Sequence, residues 1–313
     1  MNPAMNPAMN PAMHPARTTE QNHKTLPKMD GLYWALVISS TTLGETAGDL
    51  ISQTLGLGYG GATAVLLGMF IVAMVVEVTR RKSHAGLYWT TLTLASIGGT
   101  TLSDWAARTL GLGYPISAVV VFAALIVALV AWKLSTRSLD LKGELTRRAE
   151  SLYWLAIFAS STLGTVIGDL LSKDELDLGE VIGADGKSFI ERSLSDTMFG
   201  EWISSHGIHQ AGLGFGDDTT AMVLLGLLAV VTCVALFTRV SRMTCYWAGI
   251  IVTHPLGAAA GDYMTKEDGL DMGNTKASAI LLVVLLAVAG FAYFVSRAWC
   301  KKDDAPGQAR GVA

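Results

Sequence analysis

A Tyr-Trp pair followed fifteen residues later by an aspartate occurs four times: Tyr33-Trp34…Asp49, Tyr88-Trp89…Asp104, Tyr153-Trp154…Asp169 and Tyr246-Trp247…Asp262. Each aspartate lies at the far end of an otherwise apolar segment. A carboxylate inside a membrane span is costly, so four at equivalent places restrict both the fold and what its interior is for.

Composition supports a membrane chain. Of the 313 residues, 51% are hydrophobic and 16% charged, and mean hydropathy is +0.42. Eight segments reach the ~20 residues that cross ~30 Å of hydrocarbon: 32–52, 61–79, 87–107, 114–132, 152–172, 219–238, 245–264 and 277–295. Of the 23 Lys and Arg, 17 fall in the N-terminus and in segments 80–82, 133–148, 239–242 and 297–310. Six lie in the alternate segments, which are acidic instead. The positive-inside rule then predicts cytoplasmic termini. The basic loops face lipid headgroups, and no nucleic-acid partner is expected. No apolar core of a secretory signal occurs in residues 1–30, so the first span is expected to act as an uncleaved insertion signal. The three cysteines have no metal-ligand spacing.

Each repeat reads as two spans. The first ends in a small-residue stretch, with a Gly five residues before every Asp (Gly44, Gly99, Gly164, Gly257) and a Gly or Ser just before it. Such a face lets helices approach closely, so it is expected to pack on a neighbouring repeat. Glycine-rich outer turns follow, Leu55–Tyr59, Leu110–Tyr114 and Gly212–Phe215, drifting to Gly269–Gly273 in the fourth repeat. Because each unit crosses twice, all four share one orientation. The predicted fold is an all-α integral membrane protein of eight transmembrane helices, arranged as four parallel two-helix repeats around a pseudo-symmetry axis. The expected divisions are a disordered low-complexity N-terminus (1–30), repeats at 31–82, 83–148, 149–242 and 243–298, and a cytoplasmic tail (299–313).

With Trp34, Trp89, Trp154 and Trp247 as markers and the Gly-Asp ends, the chain resembles bacterial inner-membrane proteins built of four tandem two-helix repeats of unknown function. The likeness covers roughly residues 31–298. It implies the architecture and no established activity.

Polar positions differ between repeats. Four residues after the Asp stand Gln53, Arg108, Lys173 and Lys266. In repeats two to four this cation can pair with the Asp at i,i+4. Repeat one has only Gln53, and it adds Glu45 on the same helix face as Asp49, about 6 Å along the axis. Two carboxylates with no local cation need a metal, a proton or a remote partner. In repeat four His254, followed by Pro255, takes the place of Thr41, Ser96 and Ser161. It stands ~12 Å inward of Asp262. Glu45, Asp49 and His254 are the candidate metal ligands, and Asp104, Asp169 and Asp262 would complete an acidic ring. A purely structural role, with each Asp as a helix-end hydrogen-bonding device, fits four copies equally well.

Two appendages stand outside the repeats. An outer insertion at about 174–211 carries Ile190, Leu194, Met198 and Trp202 at i+4 steps, which predicts an amphipathic surface helix. The N-terminus repeats Met-Asn-Pro-Ala, and its prolines forbid a regular helix.

The expected function is a secondary transporter that exports or exchanges a divalent cation, Mn²⁺-like, against protons. The string Glu45–Asp49 resembles acidic Gly-Asp motifs of manganese and calcium exporters at a different spacing. Oxygen ligands favour Mn²⁺ or Mg²⁺, and His254 would admit Zn²⁺ or Co²⁺. No resident cofactor is expected. The expected partners are the bilayer and a small ion or solute, with a homo-oligomer left open. The alternatives are a non-transporting scaffold or assembly protein, and an intramembrane metal-dependent hydrolase, which no HExxH or GxSxG motif supports.

Overall fold

The computed structural model describes residues 29–80, 84–136, 146–173 and 212–303, with side chains placed as far as Val295. Eight helices and no strand occur among the described residues. They are α1 (Gly31–Asp49), α2 (Gly58–Thr79), α3 (Ala85–Asp104), α4 (Gly113–Thr136), α5 (Arg147–Ser172), α6 (Asp217–Phe237), α7 (Arg242–Thr265) and α8 (Gly273–Asp303). Single π-helical turns, Leu50–Thr54 and Trp105–Thr109, extend α1 and α3 beyond their aspartates. The expectations for the N-terminus and for most of the outer insertion fall outside the described residues.

Local chemistry sets the helix ends. Asp30 caps α1 by accepting from the backbone N–H groups of Leu32 and Tyr33 at 3.1 Å each, and Thr146 caps α5 through Ala149 N at 3.2 Å. Such caps satisfy donors that a helix start leaves orphaned. At the far end the chain reverses through paired left-handed residues, Gly56/Gly58 (φ 73° and 67°) and Gly111/Gly113 (φ 69° and 70°). In repeat three this pair is Gly214/Gly216, two residues later than the Gly212/Gly214 of the expected turn. In repeat four Asp271 (φ 47°) stands beside Gly273, which accounts for the sequence drift there.

The first helices of the four repeats close on one another. α1 packs on α3, α3 on α5, α5 on α7, and α7 back on α1. Each second helix lies mainly against the first helix of the following repeat: α2 on α3, α4 on α5, α6 on α7, and α8 on α1. The small-residue faces lie at the inner contacts. Gly44 faces Ser96, Gly99 faces Ser161, Gly164 faces His254 and Gly257 faces Thr41. A β-carbon built at Gly44 would stand 2.6 Å from Cβ of Ser96, and one at Gly99 2.8 Å from Cβ of Ser161. Only glycine permits helix backbones this near.

The repeated tyrosines meet at the start of the four inner helices. Their hydroxyls form a closed hydrogen-bonded cycle: Tyr33–Tyr88 at 3.1 Å, Tyr88–Tyr153 at 2.7 Å, Tyr153–Tyr246 at 3.1 Å and Tyr246–Tyr33 at 3.1 Å. All four are buried. Each tryptophan packs on the tyrosine of the preceding repeat, Trp89 on Tyr33, Trp154 on Tyr88, Trp247 on Tyr153 and Trp34 on Tyr246, with ring centroids 5.2–6.4 Å apart. The tyrosines therefore turn inward rather than sitting as an interfacial belt, because in a cycle of four each phenol finds partners that lipid cannot offer. One turn further in, Val37, Leu92, Ile157 and Ile250 are fully or almost fully buried.

The second helices are apolar and exposed. Val72, Val127, Leu225 and Val283, one on each of α2, α4, α6 and α8, are all more than half exposed, a surface that suits hydrocarbon. Among the described residues, five helices are long and apolar enough to cross a bilayer: α2, α4, α5, α6 and α8. Together they make the chain a helical membrane protein. α1, α3 and α7 fall short of the eight expected spans because hydroxyls, glycines and acids lower their hydropathy, and those are the side chains the ring buries.

Gly257→Val places methyl groups against Cβ and the backbone of Thr41 and should destabilise the fold by about 1–3 kcal/mol. Gly290→Val, which meets nothing within 4 Å, should be neutral. Thermal unfolding of the two purified variants checks the contrast.

Candidate functional site

The spacing common to α1, α3, α5 and α7 sorts their inward residues into levels one turn apart. Past the tyrosines and the aliphatic residues comes a level of Thr41, Ser96, Ser161 and His254. Next is a level of Glu45, Thr100, Thr165 and Ala258, then the four aspartates, then Gln53, Arg108, Lys173 and Lys266. The interior is thus closed and apolar toward the tyrosines and acidic toward the helix ends.

The aspartates meet their expected partners. Arg108 Nε donates to Asp104 at 3.0 Å, Lys173 Nζ bonds Asp169, and Lys266 Nζ bonds Asp262. Lys173 also reaches Asp262 Oδ2 at 3.0 Å, bridging two repeats. Arg108 is further held by Tyr114 OH at 3.1 Å and lies over the rings of Tyr59 and Tyr114. In repeat one Gln53 Nε2 donates to Asp49 Oδ1 at 2.6 Å. Asp49 therefore has an amide where its three counterparts have a cation.

Glu45 lies deeper and is 3% exposed. Its Oε2 accepts from Thr100 Oγ1 at 3.1 Å and Thr165 Oγ1 at 3.2 Å, residues that occupy its own position in repeats two and three. Gly261 leaves room for it, since a β-carbon there would stand 2.7 Å from Cβ of Glu45. Glu45, Asp49 and Asp262 each offer a carboxylate oxygen, and these lie within 4.8 Å of one another. Asp262 Oδ1 is buried with no hydrogen-bond partner, while Oδ2 faces the two lysines. At this end of the ring, among the described residues, five buried carboxylates thus stand against three cations, and the two without a cation of their own both belong to repeat one.

His254 lies outside this group of three. Its Nδ1 donates to Ile250 O at 2.7 Å, since a carbonyl only accepts, which leaves Nε2 as the other ring nitrogen. That Nε2 is buried with no partner. The bond to Ile250 draws the ring back along α7, away from the carboxylates, and α7 continues unbroken through Pro255. Thr41 and Thr253 bond mainly to their own helices, whereas Ser160 Oγ finds no partner. Asp104 and Asp169 are ion-paired next to the group rather than in it.

A cleft of about 460 Å³ leads to Asp49 between the ends of α1 and α7 and the start of α8, with Gln53, Lys266, Asn274 and Lys276 on its walls. Chemically, three carboxylate oxygens this close, one of them on Asp49 at the cleft, suit a hard divalent cation whose shell is completed by water. Sequence reasoning missed Thr100, Thr165 and the double role of Lys173. Their signal was positional, since the threonines share the register of Glu45.

Lys173→Met leaves two buried carboxylates without a shared cation and should destabilise the protein by about 3–5 kcal/mol. Gln53→Leu, which removes a neutral donor, should cost about 1 kcal/mol. Melting temperatures in detergent test the order.

The repeat of unknown function DUF347 matches at residues 32–83, 87–138, 152–184 and 245–298. α6 lies beyond the third match, yet it packs on α7 as α2 packs on α3. No curated protein and no solved structure matches the chain. With more than half its residues inside four copies of this repeat, the chain belongs to the DUF347 repeat family.

Proposed function

We propose that this protein is a secondary transporter of the bacterial inner membrane, exporting or exchanging a divalent metal cation of the Mn²⁺ class against protons. In this reading all eight helices span the bilayer as four parallel repeats around a pseudo-fourfold axis, with both termini in the cytoplasm. The observation that carries it is the group Glu45, Asp49 and Asp262, with ligand oxygens within 4.8 Å inside a membrane protein. Acids in such a place are costly, and a site that binds and releases a cation gives that cost a use. An all-oxygen donor set favours Mn²⁺ or Mg²⁺ over Zn²⁺. The cleft at Asp49 supplies access from the outer side, and the tyrosine cycle with the aliphatic level closes the cytoplasmic side.

A scaffold reading has one observation in its favour: Asp104, Asp169 and Asp262 are already ion-paired, and Lys173 joins repeats three and four through Asp262, as an inter-repeat clamp would. The two readings part at repeat one, where the excess acid lies.

The test is a cation panel on purified protein in liposomes, reading internal metal and internal pH. Mn²⁺ flux that disappears in folded Glu45→Gln/Asp49→Asn supports the transporter. Gln53→Lys, which gives Asp49 the cation its counterparts have, should leave the fold intact and cut flux by at least about tenfold. Absence of flux for every cation, from protein shown to be folded, would refute transport.

A further inference from the structure

Among the three cations at the carboxylate end, Lys266 is the least held. Arg108 is bonded to Asp104 and Tyr114 and covered by two rings. Lys173 is bonded to Asp169 and Asp262 and lies over Tyr114. Their side chains are 18% and 20% exposed, against 37% for Lys266. The ion pair of Lys266 among the described residues is with Asp262, and its side chain forms part of the cleft wall next to Asp49.

Its backbone, by contrast, is fixed. Lys266 N–H donates to Asp262 O at 2.9 Å, and its carbonyl accepts from Gly269 N and Asp271 N at 3.1 Å each. The ammonium is therefore a cation on a flexible stem with an anchored base. It is bonded to a carboxylate that belongs to the three-carboxylate group. If the ammonium left, Asp262 would keep Lys173 at 3.0 Å, so its departure strands no buried charge.

We propose that Lys266 is a tethered competitor of the transported cation. It holds Asp262 while the site is empty and swings into the cleft when a divalent ion takes Asp262 together with Glu45 and Asp49. This rests on the cation-site reading and adds to it the residue that sets affinity. Lys266 is a positioning residue in this scheme, since it touches Asp262 rather than the ion. A site with its own built-in cation binds weakly enough to release its cargo, and the ion displaces the ammonium on arrival. The stem needs no other rearrangement, because the lysine ammonium is a point charge on a four-carbon chain with three freely rotating donors.

The test measures Mn²⁺ affinity on full-length protein in nanodiscs by equilibrium titration. Lys266→Met and Lys266→Gln should each bind about tenfold more tightly than the native chain, as expected for losing a competing charge. Lys266→Arg should stay near native. Lys276→Met removes a charge from the same cleft but not from Asp262, and should change affinity less than about twofold.

A second readout uses the unaltered protein. Acetylation of Lys266 by an amine reagent, followed by mass spectrometry, should run several-fold faster with Mn²⁺ than with a chelator. Equal or weaker Mn²⁺ binding by folded Lys266→Met, equal tightening by Lys276→Met, or Lys266 labelling that Mn²⁺ leaves unchanged or slows would each overturn the proposal. A native chain that binds no Mn²⁺ would instead overturn the carboxylate site itself, and this proposal with it.

Discussion

Gly44, Gly99, Gly164 and Gly257 let four helices approach until a side chain of one lies against the backbone of the next. Membrane helices gain little from hydrophobic exclusion of each other, so close packing and hydrogen bonds must hold them. The glycines supply the closeness, and it has consequences at every level. It brings four phenols within hydrogen-bond distance at one end and five carboxylates and three cations into one cluster at the other. Two threonines also reach a glutamate that belongs to a third helix. A wider ring would separate all of these groups.

The cluster is a symmetric frame with one deviation. In repeats two to four an acid and a cation one turn apart neutralise each other locally. Repeat one breaks this with Gln53 and Glu45, and because the ring closes, its surplus charge lies beside Asp262 of repeat four. Lys173 binds repeats three and four together through two carboxylates, so the rigid part of the cluster and its excess acid occupy different arcs of the ring. The cleft opens at the excess.

Much of this was legible along the chain. The Tyr-Trp-to-Asp spacing gave the register, the Gly before each Asp marked the contact face, and the missing cation at Gln53 marked the unusual repeat. What was hidden came from closure. Nothing in linear order says that Asp262 neighbours Glu45, because the two stand more than two hundred residues apart and become adjacent only when repeat four meets repeat one. The tyrosine cycle was hidden too, because single aromatic residues at span ends prefer headgroups; only a fourfold meeting offers their hydroxyls a buried alternative. Hydropathy is lower along α1, α3 and α7 for the reason that makes them informative, namely that polar side chains concentrate where the ring encloses them. His254 shares a level with three hydroxyls, but its bond to Ile250, a matter of rotamer rather than spacing, turns it from the acids.

The offset packing of the outer helices bears on how such a chain is made. Since α2 covers α3 rather than α1, and α8 covers α1, no repeat encloses its own inner helix. α1, which carries the two acids without cations, comes first among the described helices, yet its neighbours α7 and α8 come last. Until those are made, Glu45 and Asp49 lack the helix that brings Asp262 beside them. The ring therefore closes only when the last of these helices meet the first, and a chain stopped short of them leaves its acidic face uncovered.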